Sequence, residues 1–134
     1  MKIAIVGAAG RMGKMLCRLA EGTPLEVVSR VDAAEGYDRE WRDDVEGVID
    51  FSHHSALPGA ITRAAEQGIA YVIGTTGVTA EEQAVVDAAA EKIPVVQSGN
   101  YSLGVNLLLE LVKKAEDTEG VEGAKAAADA LAMQ

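Results

Sequence analysis

The chain alternates short apolar runs with segments whose apolar residues recur at helical spacing, and no other feature constrains its fold as strongly. The predicted strands are 2–6, 25–31, 47–51, 69–73 and 93–97, and the helices between them are 12–20, 55–67 and 79–91. Successive parallel strands need a crossover, so this order indicates a parallel sheet covered on both faces. We therefore expect an α/β fold, a Rossmann-type doubly wound parallel sheet of about five strands with helices on both faces.

The predicted helix ends carry ordinary start and stop signals. Gly68 is expected to end the second helix. Thr79 is a predicted N-cap for the third helix, and Glu82 three residues later completes a capping box. The acidic segment 33–43 has no apolar period, so we expect a loop with one helical turn around Trp41.

A length of 134 residues allows a single domain, and residues 1–134 are expected to form one unit. After the last strand the apolar spacing predicts a long helix at 102–115, a polar break at 116–120 and a closing helix at 121–133.

The charge balance excludes two classes of partner. There are 12 basic and 21 acidic residues, for a net charge of −9, so the surface repels nucleic acid and anionic membranes. The apolar run before Gly7 is too short for a signal peptide or a membrane span. The single cysteine, Cys17, permits no intrachain disulfide and suits a reducing compartment. We expect a cytoplasmic protein that binds neither nucleic acid nor membrane.

A glycine-rich turn joins the first predicted strand to the first helix. It reads Gly-Ala-Ala-Gly-Arg-Met-Gly over residues 7–13. In this context Gly7 allows a sharp turn, Gly10 lets backbone N–H groups approach a pyrophosphate, and Gly13 lets the helix pack closely on the strand. The helix N-terminus adds a positive dipole end. In this strand–turn–helix context the pattern predicts a dinucleotide site, and the alternative is a tight turn that binds no ligand.

Two charged positions are expected to touch the cofactor. Asp32 ends the second predicted strand, where a carboxylate accepts hydrogen bonds from an adenosine ribose and disfavours a 2′-phosphate. Arg11 lies inside the glycine turn, so its guanidinium is expected to point at the cofactor. Arg30 and Arg39 could offset the preference of Asp32, although both are more simply surface charges.

Small and hydroxyl-bearing residues follow three predicted strands, at 50–54, 74–77 and 97–102. Ligands of open parallel sheets bind beyond the carboxyl ends of the strands, so these ends predict a nicotinamide pocket. His53 and His54 lie at the first of them and are expected to point in opposite directions, as neighbours in extended chain do. They are the only candidate acids there, and no catalytic residue or metal site is assigned.

Four segments together resemble one family, the 4-hydroxy-tetrahydrodipicolinate (dihydrodipicolinate) reductases of the diaminopimelate route to lysine. They are the G-x-x-G-R-M-G turn at 7–13, Val-Ile-Asp-Phe-Ser at 48–52, Val-Ile-Gly-Thr-Thr-Gly at 72–77, and Asn-Tyr-Ser-Leu-Gly-Val-Asn at 100–106 after Pro94. The resemblance implies a domain that binds NADH or NADPH. It implies pyrophosphate contacts at Gly7, Arg11 and Met12, a ribose contact at Asp32, and a nicotinamide pocket formed by Phe51, Ser52, Gly74, Thr75, Thr76, Gly99, Asn100 and Tyr101.

The chain also departs from that family. The family's substrate domain carries an H-H-x-x-K segment and a D-A-P-S-G-T-A loop, and neither occurs here. We therefore expect a cofactor domain rejoined near 116–120, with doubtful hydride transfer and a monomer or dimer rather than a tetramer. A non-catalytic module that senses a dinucleotide or binds a partner is the alternative, and a scaffold with an incidental site is a third.

Overall fold

The computed structural model describes residues 1–97, which contain a five-stranded parallel sheet. The strands are β1 (Lys2–Val6), β2 (Glu26–Val31), β3 (Gly47–Asp50), β4 (Ala70–Ile73) and β5 (Val95–Gln97). The helices are α1 (Arg11–Ala20), α2 (Leu57–Gln67) and α3 (Ala80–Ala90), and a 3₁₀ turn over His54–Ala56 precedes α2. The fold class predicted from the sequence is confirmed. The predicted helices at 102–115 and 121–133, with the break between them, lie outside the described residues.

The strand order β2-β1-β3-β4-β5 places β1 inside the sheet, between β2 and β3, the two strands that follow it in the sequence. Val6, the last residue of β1, pairs with Val31 of β2 and with Asp50 of β3. The chain therefore reverses its direction of winding at β1. A crevice opens at such a point beyond the carboxyl ends of the strands, and the segment that follows Val6 lies in it.

Two apolar cores cover the two faces of the sheet. Ile3 and Ile5 of β1 are buried with Leu16 of α1 on one face. Alternate residues of β1 point the other way, and they pack with the buried side chains of α2 and α3 on the opposite face. Those side chains are Leu57, Ile61 and Ala64 of α2 and Val86 and Ala89 of α3. The predicted covering of both faces is thus confirmed.

The helix-end signals act as the sequence predicts. Gly68 adopts φ +70°, a left-handed conformation that favours glycine, and ends α2. The Thr79 hydroxyl accepts a hydrogen bond from the Glu82 N–H, and the Glu82 carboxylate accepts one from the Thr79 N–H. The capping box therefore begins α3 one residue after Thr79.

The predicted helical turn around Trp41 is wrong. Trp41 is only 4 % exposed, and its indole Nε1 donates to Gln67 Oε1 at 2.7 Å. The guanidinium of Arg63 lies 4.8 Å from the centre of its ring. The next backbone N–H, that of Arg42, donates to Ser29 Oγ at 2.9 Å. Contacts with β2 and α2 thus hold this segment, and the backbone forms only a turn, with the Val45 N–H donating to the Arg42 carbonyl at 3.3 Å, and no helix. No helix within residues 1–97 is long and apolar enough to cross a membrane.

Gly13 and Gly59 are each the third residue of a helix, but only Gly13 is confined. A Cβ at Gly13 would lie 2.2 Å from the Gly7 carbonyl oxygen, whereas a Cβ at Gly59 would meet nothing within 4 Å. We expect Gly13→Ala to lower the free energy of unfolding by about 1–3 kcal/mol through overpacking. Gly59→Ala should raise it by up to about 1 kcal/mol through helix propensity. Urea unfolding of both variants checks this, and equal stabilities would contradict it.

Candidate functional site at the carboxyl edge of the sheet

Gly7 is required by the chain's own geometry. Its φ is +83°, and a Cβ there would lie 2.7 Å from the Phe51 carbonyl oxygen. The N–H groups of Gly7 and Ala8 both donate to the Val31 carbonyl, at 2.9 and 3.2 Å. These contacts hold the glycine turn between the ends of β2 and β3, where the crevice opens.

Gly10 has no comparable structural reason to be glycine. Its φ is −74°, which any residue adopts, and the position is exposed. Within residues 1–97, the only atom near an added Cβ would be the Gly7 carbonyl oxygen at 3.4 Å, an ordinary van der Waals contact. A side chain could therefore be accommodated within the protein itself. The missing side chain instead leaves the outer surface of the turn open to a ligand that approaches the backbone.

The first turn of α1 presents unpaired donors beside Gly10. No side chain caps this helix, and no acidic residue lies in its first turn. The N–H groups of Arg11, Met12 and Gly13 therefore have no partner within residues 1–97. The Arg11 side chain is exposed and makes no ion pair or hydrogen bond with the described residues. Three aligned donors, a helix dipole and a free cation together favour an anion.

Asp32 is already engaged with the backbone. Its Oδ2 accepts a hydrogen bond from the Ala9 N–H at 2.9 Å, and its Oδ1 accepts one from the Ala34 N–H at 3.1 Å. A carboxylate has about four acceptor sites, so two remain for a ligand such as a ribose diol. The sequence did not reveal the tie to Ala9, which connects the end of β2 to the glycine turn. Nearby, the Arg39 guanidinium donates to the Ala33 carbonyl at 2.7 Å.

The ends of β3 and β4 meet as predicted, and Phe51 packs against Gly74. A Cβ on Gly74 would lie 2.1 Å from the Phe51 ring, so a larger residue there would require that ring to move. The Gly74 N–H donates to the Asp50 carbonyl at 2.8 Å, which joins the two strand ends. Thr76 is exposed and makes no hydrogen bond within the described part of the chain. Its hydroxyl is therefore available to a ligand.

Asp50, which sequence reasoning left without a role, is the centre of a buried polar cluster. Its Oδ1 accepts hydrogen bonds from the Ser52 N–H at 2.8 Å, from Ser52 Oγ, and from Thr75 Oγ1 at 3.3 Å. The Tyr71 hydroxyl donates to Oδ2. The hydroxyls of Ser52 and Thr75, both expected in the nicotinamide pocket, thus face into the protein. The predicted pocket residues Gly99, Asn100 and Tyr101 lie outside the described residues.

The expectation that His53 and His54 point in opposite directions is wrong. Their ring centres lie 4.2 Å apart, because the 3₁₀ turn begins at His54 and ends the extended geometry. His53 Nδ1 lies 2.8 Å from Ser55 Oγ, and His54 Nδ1 lies 2.7 Å from Glu82 Oε1. The Thr79 backbone N–H, and to a smaller extent His54, hold the pKa of the Glu82 carboxyl below its usual range.

No group of three metal-ligating side chains forms within residues 1–97. Cys17 is half-buried on α1, where it packs against the core that α1 covers.

The winding reversal at β1, with a glycine turn and an uncapped helix N-terminus beside it, defines a dinucleotide-binding domain of the Rossmann class. Residues 1–101 match the family described as dihydrodipicolinate reductase, N-terminus. The chain therefore belongs to the dihydrodipicolinate reductase family, as its N-terminal NAD(P)-binding domain, and the resemblance drawn from the sequence is confirmed.

Individual relatives agree with this assignment. The 4-hydroxy-tetrahydrodipicolinate reductase of Caulobacter vibrioides is 46% identical over 127 residues, which are 86% of this chain and 48% of the relative. That of Caldanaerobacter subterraneus is 39% identical over 124 residues, 86% of this chain and 49% of the relative. Dipicolinate-bound dihydrodipicolinate reductase from Paenisporosarcina sp. TG-14 shares the fold, with a TM-score of 0.61 and 17% identity. The match covers 87% of this chain and 52% of that protein. The chain spans about half the length of these proteins.

Burial and the neighbouring Asp50 carboxylate raise the pKa of Tyr71 well above its ordinary value of about 10. At least one of the three tyrosines should therefore stay protonated well above pH 10 in the folded protein. The associated stability is fully present below pH 10 and is lost as pH rises toward the folded pKa. Absorbance titration of tyrosinate checks this. The resistant tyrosine should vanish in Tyr71→Phe, and its persistence there would contradict the assignment.

Proposed function

We propose that the domain binds NADH or NADPH across the carboxyl edge of the sheet and holds it for reduction of 4-hydroxy-tetrahydrodipicolinate or a close analogue. The observation that carries the proposal is the open position at Gly10 beside three unpaired N–H groups of α1. The fold needs glycine at positions 7 and 13 for its own packing, but at position 10 a ligand supplies the reason.

The donors and acceptors of the described residues assign the proposed cofactor to three regions of the site. The pyrophosphate lies over the N–H groups that begin α1, with the Arg11 guanidinium as its counter-charge. The adenosine ribose meets the remaining acceptor sites of Asp32. The nicotinamide lies toward the ends of β3 and β4, where Phe51, Gly74 and Thr76 are placed. The nicotinamide, when bound, supplies the hydride of the reduction.

The protein's own part in this proposal is to bind and orient the cofactor. Across the described strand ends at 50–54 and 74–77 there is no lysine or arginine to stabilise developing negative charge. Of the two candidate acids, only His54 lies beside a carboxylate within the described residues, with its Nδ1 2.7 Å from Glu82 Oε1. The full reduction belongs to relatives about twice as long, so we propose cofactor binding as the role of this chain, with turnover at background.

The binding proposal is tested by titrating the purified chain with NADH and with NADPH while following nicotinamide fluorescence. Gly10→Ala should weaken binding at least about tenfold, which is about 1.4 kcal/mol, because its methyl group obstructs the approach of the pyrophosphate. Gly59→Ala is the matched control, since the same change there lies on α2 in open space. Unfolding of each variant is measured alongside. A folded wild-type chain that binds neither nucleotide would overturn the proposal.

Turnover is tested with freshly generated 4-hydroxy-tetrahydrodipicolinate and either reduced cofactor, followed by absorbance. We expect cofactor binding with turnover at background. Rapid turnover would contradict the limited role and direct attention to His54. Binding without turnover, together with capture of a second copy or another protein, would instead favour the dinucleotide-sensing alternative. Sedimentation of the same sample tests the proposed monomer or dimer.

A further inference from the structure

Asp50 is the one carboxylate within residues 1–97 that is fully removed from solvent, with 0% exposure. An ionised carboxylate in such a place is costly unless donors surround it. The described chain supplies no cation here. It supplies an N–H and three hydroxyls, from Ser52, Tyr71 and Thr75. These groups therefore satisfy the hydrogen-bond acceptors of the Asp50 carboxylate, and the same hydrogen bonds restrain the positions of Ser52, Tyr71 and Thr75.

These donors come from different parts of the carboxyl edge. Ser52 follows β3, Tyr71 belongs to β4, and Thr75 follows β4. The Thr75 hydroxyl also lies 3.3 Å from the Asp50 carbonyl oxygen. One carboxylate thus fixes the short segments 51–52 and 74–76 relative to each other. These two segments are the ones that the proposed function assigns to the nicotinamide half of the cofactor.

Asp50 and Tyr71 lie below that surface and not in it. Tyr71 is 1% exposed and packs in the core beneath α2 and α3. Asp50 is the last residue of β3 and pairs with Ile73 of β4. Neither side chain reaches solvent, so neither can contact a bound cofactor directly. Any effect on the cofactor passes through the residues they hold, which makes them positioning residues.

We propose that the Asp50–Tyr71 pair preorganises segments 51–52 and 74–76, so that the nicotinamide half of the cofactor binds to a surface already formed. This inference rests on the proposed function. A surface that is ordered before binding spares the cost of ordering it on binding. The pair should therefore affect affinity for the nicotinamide half and leave the pyrophosphate and adenosine half, held by α1 and β2, unchanged.

Tyr71→Phe tests the proposal, because it removes one hydroxyl and keeps the ring that fills the core. NADH and ADP serve as paired probes, since ADP contains the adenosine and pyrophosphate but lacks the nicotinamide. We expect Tyr71→Phe to lower the affinity for NADH about tenfold and to change the affinity for ADP by less than about twofold. This is the result of losing preorganisation only where the nicotinamide half binds. The emission of bound NADH should shift toward that of free NADH. Tyr37→Phe is the matched control, because Tyr37 is half-buried and makes no hydrogen bond within residues 1–97.

A second pair of variants keeps the test decisive if Tyr71→Phe does not fold. Thr75→Val removes the buried hydroxyl and keeps the branched shape, whereas Thr75→Ser retains the hydroxyl. We expect Thr75→Val to reproduce the selective loss of NADH affinity and Thr75→Ser to keep most of the wild-type affinity.

Equal loss of NADH and ADP, or loss of neither in a folded variant, would overturn the positioning role. Failure of the proposed function has a different signature, because the wild-type chain would then bind neither probe.

Discussion

The contact between Gly13 of α1 and the carbonyl of Gly7 is the constraint on which the rest of the site depends. The helix can lie this close to the turn because Gly13 has no side chain, since a Cβ there would lie 2.2 Å from that oxygen. The approach brings the first turn of α1 directly over the end of β1. Its unpaired N–H groups thus face the crevice created by the winding reversal. The placement of the candidate anion site therefore depends on this one packing contact.

A second, polar contact holds the segments that follow β3 and β4 in a fixed position relative to each other. The Asp50 carboxylate gathers hydroxyl groups from both ends, and the backbone bond from Gly74 N–H to the Asp50 carbonyl lies beside it. Buried polar networks specify geometry when every member is satisfied, as here. The apolar core alone would hold the strands together and leave their terminal loops free to vary.

Local sequence signals predicted the parts of this protein that local interactions determine. The strand periodicity, the capping box at Thr79 and the glycine turn all involve residues close in sequence, and the structure agrees with them. One error is local, because the 3₁₀ turn that begins at His54 brings its ring close to that of His53. The other misses concern contacts between distant residues. Trp41 is held by Gln67 and not by a helical turn, and Tyr71 meets Asp50 across two strands. Spacing carries no signal for such pairs, because their register depends on the assembled sheet.

The hydrogen bonds of Asp32 couple cofactor choice to the shape of the turn. The carboxylate proposed to discriminate at the ribose also accepts the N–H groups of Ala9 and Ala34. A change of this residue that admitted a 2′-phosphate would also remove the tie between β2 and the glycine turn. Altered nucleotide preference would therefore require compensation elsewhere in the turn. A substitution at this half-exposed position would thus be judged twice, once by the nucleotide it admits and once by the turn it leaves unsupported.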